Sequence, residues 1–196
     1  FDKTWDKAEK SVEQDLSKAT LNIAVIGTVN SGKSSFIKTV TGKEDIMISP
    51  VAGETKQICK YEWPNQKNIY LTDTPGLEDI NQLVSAKATD FVESEADVVL
   101  YFVNAAVGVT EPVKKAFFNI KSLNKPIVTI LTKTDTLTDE DVEIATSDCN
   151  NKLCLNSELD LSIPVATKKG AEAFGVNDVV KRVTMVLGTN TKVILW

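Results

Sequence analysis

A chain of 196 residues, 42% hydrophobic and 25% charged, has the size and composition of one globular domain with a full core. Its net charge of −5, with a pI near 4.9, argues against broad nucleic-acid binding through phosphate neutralisation, and no strong nucleic-acid signal is visible. Histidine is absent, which excludes a histidine base and any histidine-ligated metal, and Cys59, Cys149 and Cys154 form no C-x-x-C pair, so they read as reduced thiols of a cytoplasmic protein.

The chain opens on Phe1 rather than methionine and stops on the apolar run Val193–Trp196, so the expectation is one domain of a longer protein. Phe1, Trp5, Ala8, Val12 and Leu16 recur at helical spacing with charges between them, predicting an amphipathic helix over 1–19. That helix either packs on the domain that follows, 20–196, or faces a partner. No apolar run approaches the length of a membrane span, and no secretory signal is visible.

Leu21–Ile26 reads as a strand and Lys33–Val40 as a helix. Between them Gly27-Thr-Val-Asn-Ser-Gly-Lys-Ser34 spells G-x-x-x-x-G-K-S, and strand, glycine loop and helix are the context in which this pattern cradles a polyphosphate. Gly27 and Gly32 are expected to allow positive φ and close backbone approach. The loop amides would surround phosphate oxygens at the positive end of the helix dipole. Lys33 would reach the β- and γ-phosphates and the Ser34 hydroxyl would hold Mg²⁺. Gly27, Asn30, Ser31, Gly32, Lys33, Ser34 and Ser35 are therefore the expected phosphate-side contacts.

Residues 42–56 show no periodicity. Gln57–Trp63 and Lys67–Asp73 read as two strands joined through Pro64-Asn-Gln as a hairpin. Asp73-Thr-Pro-Gly76 closes the second of them. An Asp there can hold Mg²⁺ through water, and Gly76 can offer its amide to a γ-phosphate, although D-x-x-G alone is by default a β-turn. Ile80–Glu95 is helical in pattern. Asp97–Asn104 holds a nearly continuous apolar run that suits a buried parallel strand. A helix over Glu111–Leu123 carries Pro112 in its first turn, and Pro126–Thr132 is another buried strand.

Thr132-Lys-Thr-Asp135 ends that strand. The Asp135 carboxylate can accept from N1–H and the 2-amino group of guanine, a donor pair adenine lacks, and the Lys133 stem can lie over the base. A helix over Asp139–Asn156, a short strand over Ser162–Ala166 and a helix over Val176–Leu187 complete the chain. Alternating strands and helices with one early hairpin predict a three-layer α/β/α sandwich, its six-stranded sheet mainly parallel with one antiparallel edge strand. Ligands of such sheets bind beyond the carboxyl ends of the strands.

These motifs, over residues 20–187, resemble the translation-factor-related P-loop GTPases. The spacing is most similar to the TrmE-Era-EngA type, with dynamin-like and immunity-related GTPases as near relatives. The resemblance implies a Ras-like G domain that binds GTP or GDP with Mg²⁺. It implies a switch I threonine that senses Mg²⁺ and γ-phosphate, matched by Thr55 in Val51–Lys56, with Thr41 as competitor. It also implies base contact through backbone at Ala166, Thr167 and Lys168, a degenerate match to Ser-Ala-Lys.

Three departures stand out. Thr132 replaces the usual Asn, as in dynamin-like and immunity-related relatives. Leu77 replaces the water-orienting Gln of Ras-like proteins, which implies slow intrinsic hydrolysis completed by dimerisation, a partner or K⁺. Asn30 occupies the position where potassium-activated relatives hold K⁺, while an Asn also suits a tight left-handed turn. The expectation is a GTP-hydrolysing switch in which Lys33, Thr55 and Gly76 serve catalysis, and Ser34, Thr55 and Asp73 hold Mg²⁺. A GTP-dependent homodimer is the expected partner, with an effector or membrane reached through regions outside this chain. Two alternatives are a dynamin-like assembly module and a scaffold that binds GTP without turnover.

Overall fold

The computed structural model describes residues 20–28, 30–42, 59–63, 68–73, 83–167 and 174–189, with side chains from 88 in the helix that begins at 83 and to 187 in the last helix. The elements run β1 (Leu21–Gly27), α1 (Lys33–Thr41), β2 (Cys59–Glu62), β3 (Ile69–Asp73), α2 (Leu83–Ser94), β4 (Val98–Asn104), α3 (Glu111–Lys121), β5 (Ile127–Thr132), a 3₁₀ turn (Thr134–Thr136), α4 (Asp139–Leu153), β6 (Ile163–Val165) and α5 (Val176–Thr189). The predicted helix over 1–19 and the hairpin turn at 64–66 lie outside the described residues.

Six strands form one sheet in the order β2-β3-β1-β4-β5-β6, and only the β2–β3 pairing is antiparallel. This is the predicted arrangement. Its cause is legible in β4, where Val98–Val103 is buried without a break. A strand covered on both faces needs such a run, whereas β2 alternates buried and exposed as an edge strand should. Pro164 sits inside β6, the opposite edge, where a missing amide costs least.

The two faces carry separate cores. Phe36 and Ile37 of α1 and Val179, Val183, Val186 and Leu187 of α5 pack on Ile23, Val25, Leu100, Phe102 and Ile130. Phe91 and Val92 of α2, Val113, Phe117 and Ile120 of α3, and Cys149 and Leu153 of α4 cover Ala24, Ile26, Val99, Tyr101 and Leu131. Alternate residues of β1 thus serve opposite helical layers, the period-two rule of a strand. The Tyr101 hydroxyl crosses the second core to donate to the Val113 carbonyl at 2.7 Å. Burial pushes its pKa, and that of Cys149 (up to about 11), above the ordinary values. All three cysteines are free thiols.

Helix α4 runs unbroken through Cys149–Asn151 and stops at Leu153, three residues short of the predicted end. Cys154 takes φ 55°, and Leu155 donates back to the Asn150 carbonyl at 2.9 Å. This Schellman-type stop uses cysteine where glycine is usual, so no sequence signal marks it. At the other end Thr138 caps the helix by accepting from the Asp141 amide at 3.2 Å.

Candidate nucleotide-binding site

Parallel pairing brings the carboxyl ends of β1, β3, β4, β5 and β6 to one edge. Asp73 pairs with Val25, Gly27 with Phe102, Asn104 with Thr132, and Thr132 with Val165. The glycine loop, Asp73, the Thr132–Asp135 turn and Ala166–Thr167 therefore follow neighbouring strand ends. Thr55, Gly76, Leu77 and Lys168 lie outside the described residues.

Glycine is required at both ends of the loop, for different reasons. Gly32 has φ +89°, as expected. Gly27 does not take a positive φ, a correction to the expectation for it. It is the last, buried residue of β1, and a Cβ there would come within 2.7 Å of both the Phe102 carbonyl oxygen and Ser31 Oγ. Close approach to β4, not backbone handedness, excludes a side chain. Asn30 does take φ 58° and is exposed, so its turn supplies a local reason for asparagine.

Lys33 folds over the loop. Its Nζ donates to the Gly27 carbonyl at 3.0 Å and to the Thr28 carbonyl at 2.8 Å. Its charge also acts on Asp73, whose carboxyl is pushed up by burial and pulled partly back by Lys33. Asp73 Oδ1 is buried with no hydrogen-bond partner. A buried carboxylate oxygen without a donor suits a hydrated Mg²⁺, and exposed Ser34 opens α1 beside the loop, so these residues fit the ion. Ser31 Oγ is likewise buried and unpartnered. Ser35 is exposed in the first turn of α1. Thr41, the competing switch residue, is in the last turn of α1, where its hydroxyl donates to the Ile37 carbonyl at 2.7 Å.

At the end of β5, Thr132 is 1% exposed. Its Oγ1 donates to the Ser31 carbonyl at 2.5 Å and lies 3.1 Å from the Val103 carbonyl. Gly32 packs against the same side chain, with space for a Cβ only 3.2 Å from Thr132 Cβ. A threonine thus spans the gap between the glycine loop and the Thr132–Asp135 turn because the glycine loop comes down onto it. Lys133 takes φ 59° and turns the chain into the 3₁₀ turn that carries half-buried Asp135. That turn is closed by Thr136, whose hydroxyl donates to the Lys133 carbonyl at 2.7 Å. Ala166 is buried and Thr167 half-buried at the end of β6.

Two features were not legible in the sequence: the unpartnered Ser31 hydroxyl, and a backbone bridge between Ala166 and Phe174. The first depends on Phe102 and Thr132, far along the chain, and the second on a loop closure that no local pattern marks.

Residues 22–133 match the sequence model of the 50S ribosome-binding GTPases. GTPase Der of Persephonella marina is 30% identical over 140 residues, covering 67% of this chain and 31% of its own length. GTPase Era of Aquifex aeolicus is 29% identical over 158 residues, covering 76% of this chain and 52% of its own length. The chain spans about a third of the length of the Der relatives it matches. Among solved structures, Era in complex with MgGDPNP and a segment of 16S ribosomal RNA has a TM-score of 0.65 at 27% identity over 84% of this chain and 55% of Era. A probable GTP-binding protein EngB, with a TM-score of 0.66 at 19% identity over 86% of this chain and 99% of its own, shares the fold.

Proposed function

The chain belongs to the 50S ribosome-binding GTPase family, as a P-loop GTPase of the TrmE-Era-EngA type, and from that premise we propose that it is a Mg²⁺-dependent switch that binds GTP and hydrolyses it to GDP and phosphate. The observation that carries this reading is the convergence of the Gly27–Ser34 loop, Asp73 and Asp135 at one end of the sheet, with Thr132 tying the two loops together.

In this reading the amides of Gly27–Ser35, with Asn30 and Ser31 among them, surround the phosphates. Lys33 leaves the Gly27 and Thr28 carbonyls, or shares its ammonium with them, to meet the β- and γ-phosphates. Held by Ser34, Thr55 and, through water, Asp73, Mg²⁺ would neutralise charge on the β- and γ-oxygens. Gly76 offers its amide to the γ-phosphate, and water attacks in line. Positioning and charge stabilisation supply the rate, with no covalent step on the protein. Asp135 reads guanine, Lys133 covers the base, and backbone contact comes from Thr167 and Lys168, the Ala166 amide and carbonyl being bonded to Phe174. The switches run over 42–56 and 73–85. The domain is 20–196, with 1–19 as an amphipathic extension, and it acts in the cytoplasm.

Leu77 cannot orient water, so intrinsic turnover is slow and an added positive charge accelerates it. Arg182 is the single arginine of the chain. Its guanidinium donates to the Leu159 and Leu161 carbonyls at 2.7 and 3.1 Å, holding α5 to the segment before β6. A second copy of this chain therefore brings no uncommitted arginine. K⁺ at Asn30 or a different partner supplies the charge, or a GTP-dependent homodimer speeds turnover by ordering the switches. Turnover measured in KCl and NaCl across protein concentrations separates these routes. Rates that are equal in both salts and at all concentrations would remove K⁺ and the homodimer together, and Asn30→Ala should abolish any K⁺ stimulation.

Thr132 favours a second reading, a GTPase module of a dynamin-like assembly protein whose membrane contacts lie outside this chain. GTP-dependent self-association in light scattering supports it. A protein that binds GTP without releasing phosphate under any of these conditions is instead a scaffold. The ribosomal RNA bound by Era finds no support in the charge of −5 here.

A further inference from the structure

The loop that follows β6 is closed by its own stem. Ala166 and Phe174 form an antiparallel bridge in which each amide donates to the other's carbonyl at 3.1 Å. Gly175 comes next with φ +77°, and a Cβ there would overlap the Pro164 carbonyl oxygen and sit 3.2 Å from Val165 Cγ2. Handedness and space both demand glycine. Pro164 and Val165 belong to β6, and Val165 is the register partner of Thr132 in the guanine-reading segment. The stem is therefore fastened to the strand that sets the height of Ala166 and Thr167 against Thr132–Asp135. The bridge also commits the Ala166 amide to Phe174, so donation to a base passes to the amides beyond it, Thr167 first.

We propose that Gly175 and the Phe174 main chain are positioning elements for base recognition, holding the Thr167 amide for the oxygen at position 6 of guanine. The proposal rests on the guanine reading above. Phe174 is 57% exposed, so the role belongs to its backbone.

The test compares the affinity of the intact chain for GTP and for 6-thio-GTP. Sulfur, a weak acceptor, replaces only the oxygen in question and leaves both donors to Asp135 in place. The wild-type chain should prefer GTP about tenfold, the worth of one good hydrogen bond. Gly175→Ala should cut that preference to about threefold or less by weakening GTP alone. Phe174→Pro removes the amide donor at an exposed position and should act alike, which keeps the test open if Gly175→Ala does not fold. Phe174→Ala, with its backbone intact, should keep the wild-type ratio. An unchanged ratio in the Gly175 and Phe174→Pro variants, or equal weakening of both nucleotides, overturns the positioning role while the guanine reading stands. A wild-type chain that does not distinguish the two nucleotides overturns contact with that oxygen, and the proposal with it.

Discussion

In the proposed site the phosphate end and the base end are built on opposite principles. At the base end several polar groups already have partners: Thr132 bonds the Ser31 carbonyl, Thr136 closes the Lys133 turn, and Ala166 and Phe174 satisfy each other. At the phosphate end Asp73 Oδ1 and Ser31 Oγ are buried without partners, and Lys33 spends its charge on the loop's own carbonyls. Unpartnered buried groups cost stability, so the phosphate end holds polar capacity in reserve and the base end is preformed. The comparison teaches where nucleotide should stabilise the fold: chiefly through the phosphates and their metal ion.

The harshest way to break this contrast is at Lys33. Lys33→Ala removes an ammonium that bonds the loop carbonyls and leaves Asp73 without the charge that partly offsets its burial. GTP affinity should fall by about 100-fold or more, since charge-assisted contacts to phosphate are the strong ones. Titration with a fluorescent GTP analogue measures it, and an unchanged affinity would remove the Gly27–Ser34 loop from the site.

A substitution at Thr132 attacks the base end instead. Thr132→Val keeps the shape and deletes the hydroxyl, stranding the buried Ser31 carbonyl. Urea unfolding of the nucleotide-free chain should show a loss of about 1–3 kcal/mol. If the loss appears only with nucleotide bound, the base end is not preformed and the contrast fails.

Much of this layout was legible in the sequence. The apolar run at 98–103 suited a buried strand, and G-x-x-x-x-G-K-S after a strand and before a helical pattern suited a loop that opens a helix. What escaped notice depended on tertiary neighbours. Gly27 was expected to be glycine for positive φ and close backbone approach; its φ is not positive, and the Phe102 carbonyl across β1–β4 is what excludes a side chain. Gly175 drew no reading at all, because nothing local shows that the Pro164 carbonyl lies against it. The end of α4 was misplaced because Cys154 adopts a conformation that the sequence would assign to glycine.

Asp73→Asn sharpens the contrast from the phosphate end, with opposite signs for stability and activity. Burial raises the Asp73 pKa in the fold, so the folded state binds its proton more readily than the unfolded chain. The stability this group contributes is full below the unfolded pKa and is lost as pH rises through the raised folded value. At neutral pH the carboxylate is a burden, and a neutral amide relieves it. The variant should melt a few degrees higher, about 2–4 °C, than the wild-type chain without nucleotide. That gain should vanish in mild acid, while Mg²⁺-dependent turnover is lost at every pH. A lower melting temperature at pH 7 would mean that the carboxylate has a partner in the free protein.

The smallest effect distinguishes a group held for ligand from a group merely buried. Ser31 is 0% exposed, its hydroxyl has no partner, and Gly27 leaves room for it against Phe102. Ser31→Ala removes only that oxygen. If the hydroxyl has no use, the nucleotide-free chain gains about 0.5–1 kcal/mol and GTP affinity stays within about twofold. If the hydroxyl turns to a phosphate or its metal ion on binding, the same stability gain comes with about tenfold weaker GTP binding. The reserve of polar capacity at the phosphate end predicts the second result. The first would confine that reserve to Asp73, and the difference between the two ends would then be the metal site alone.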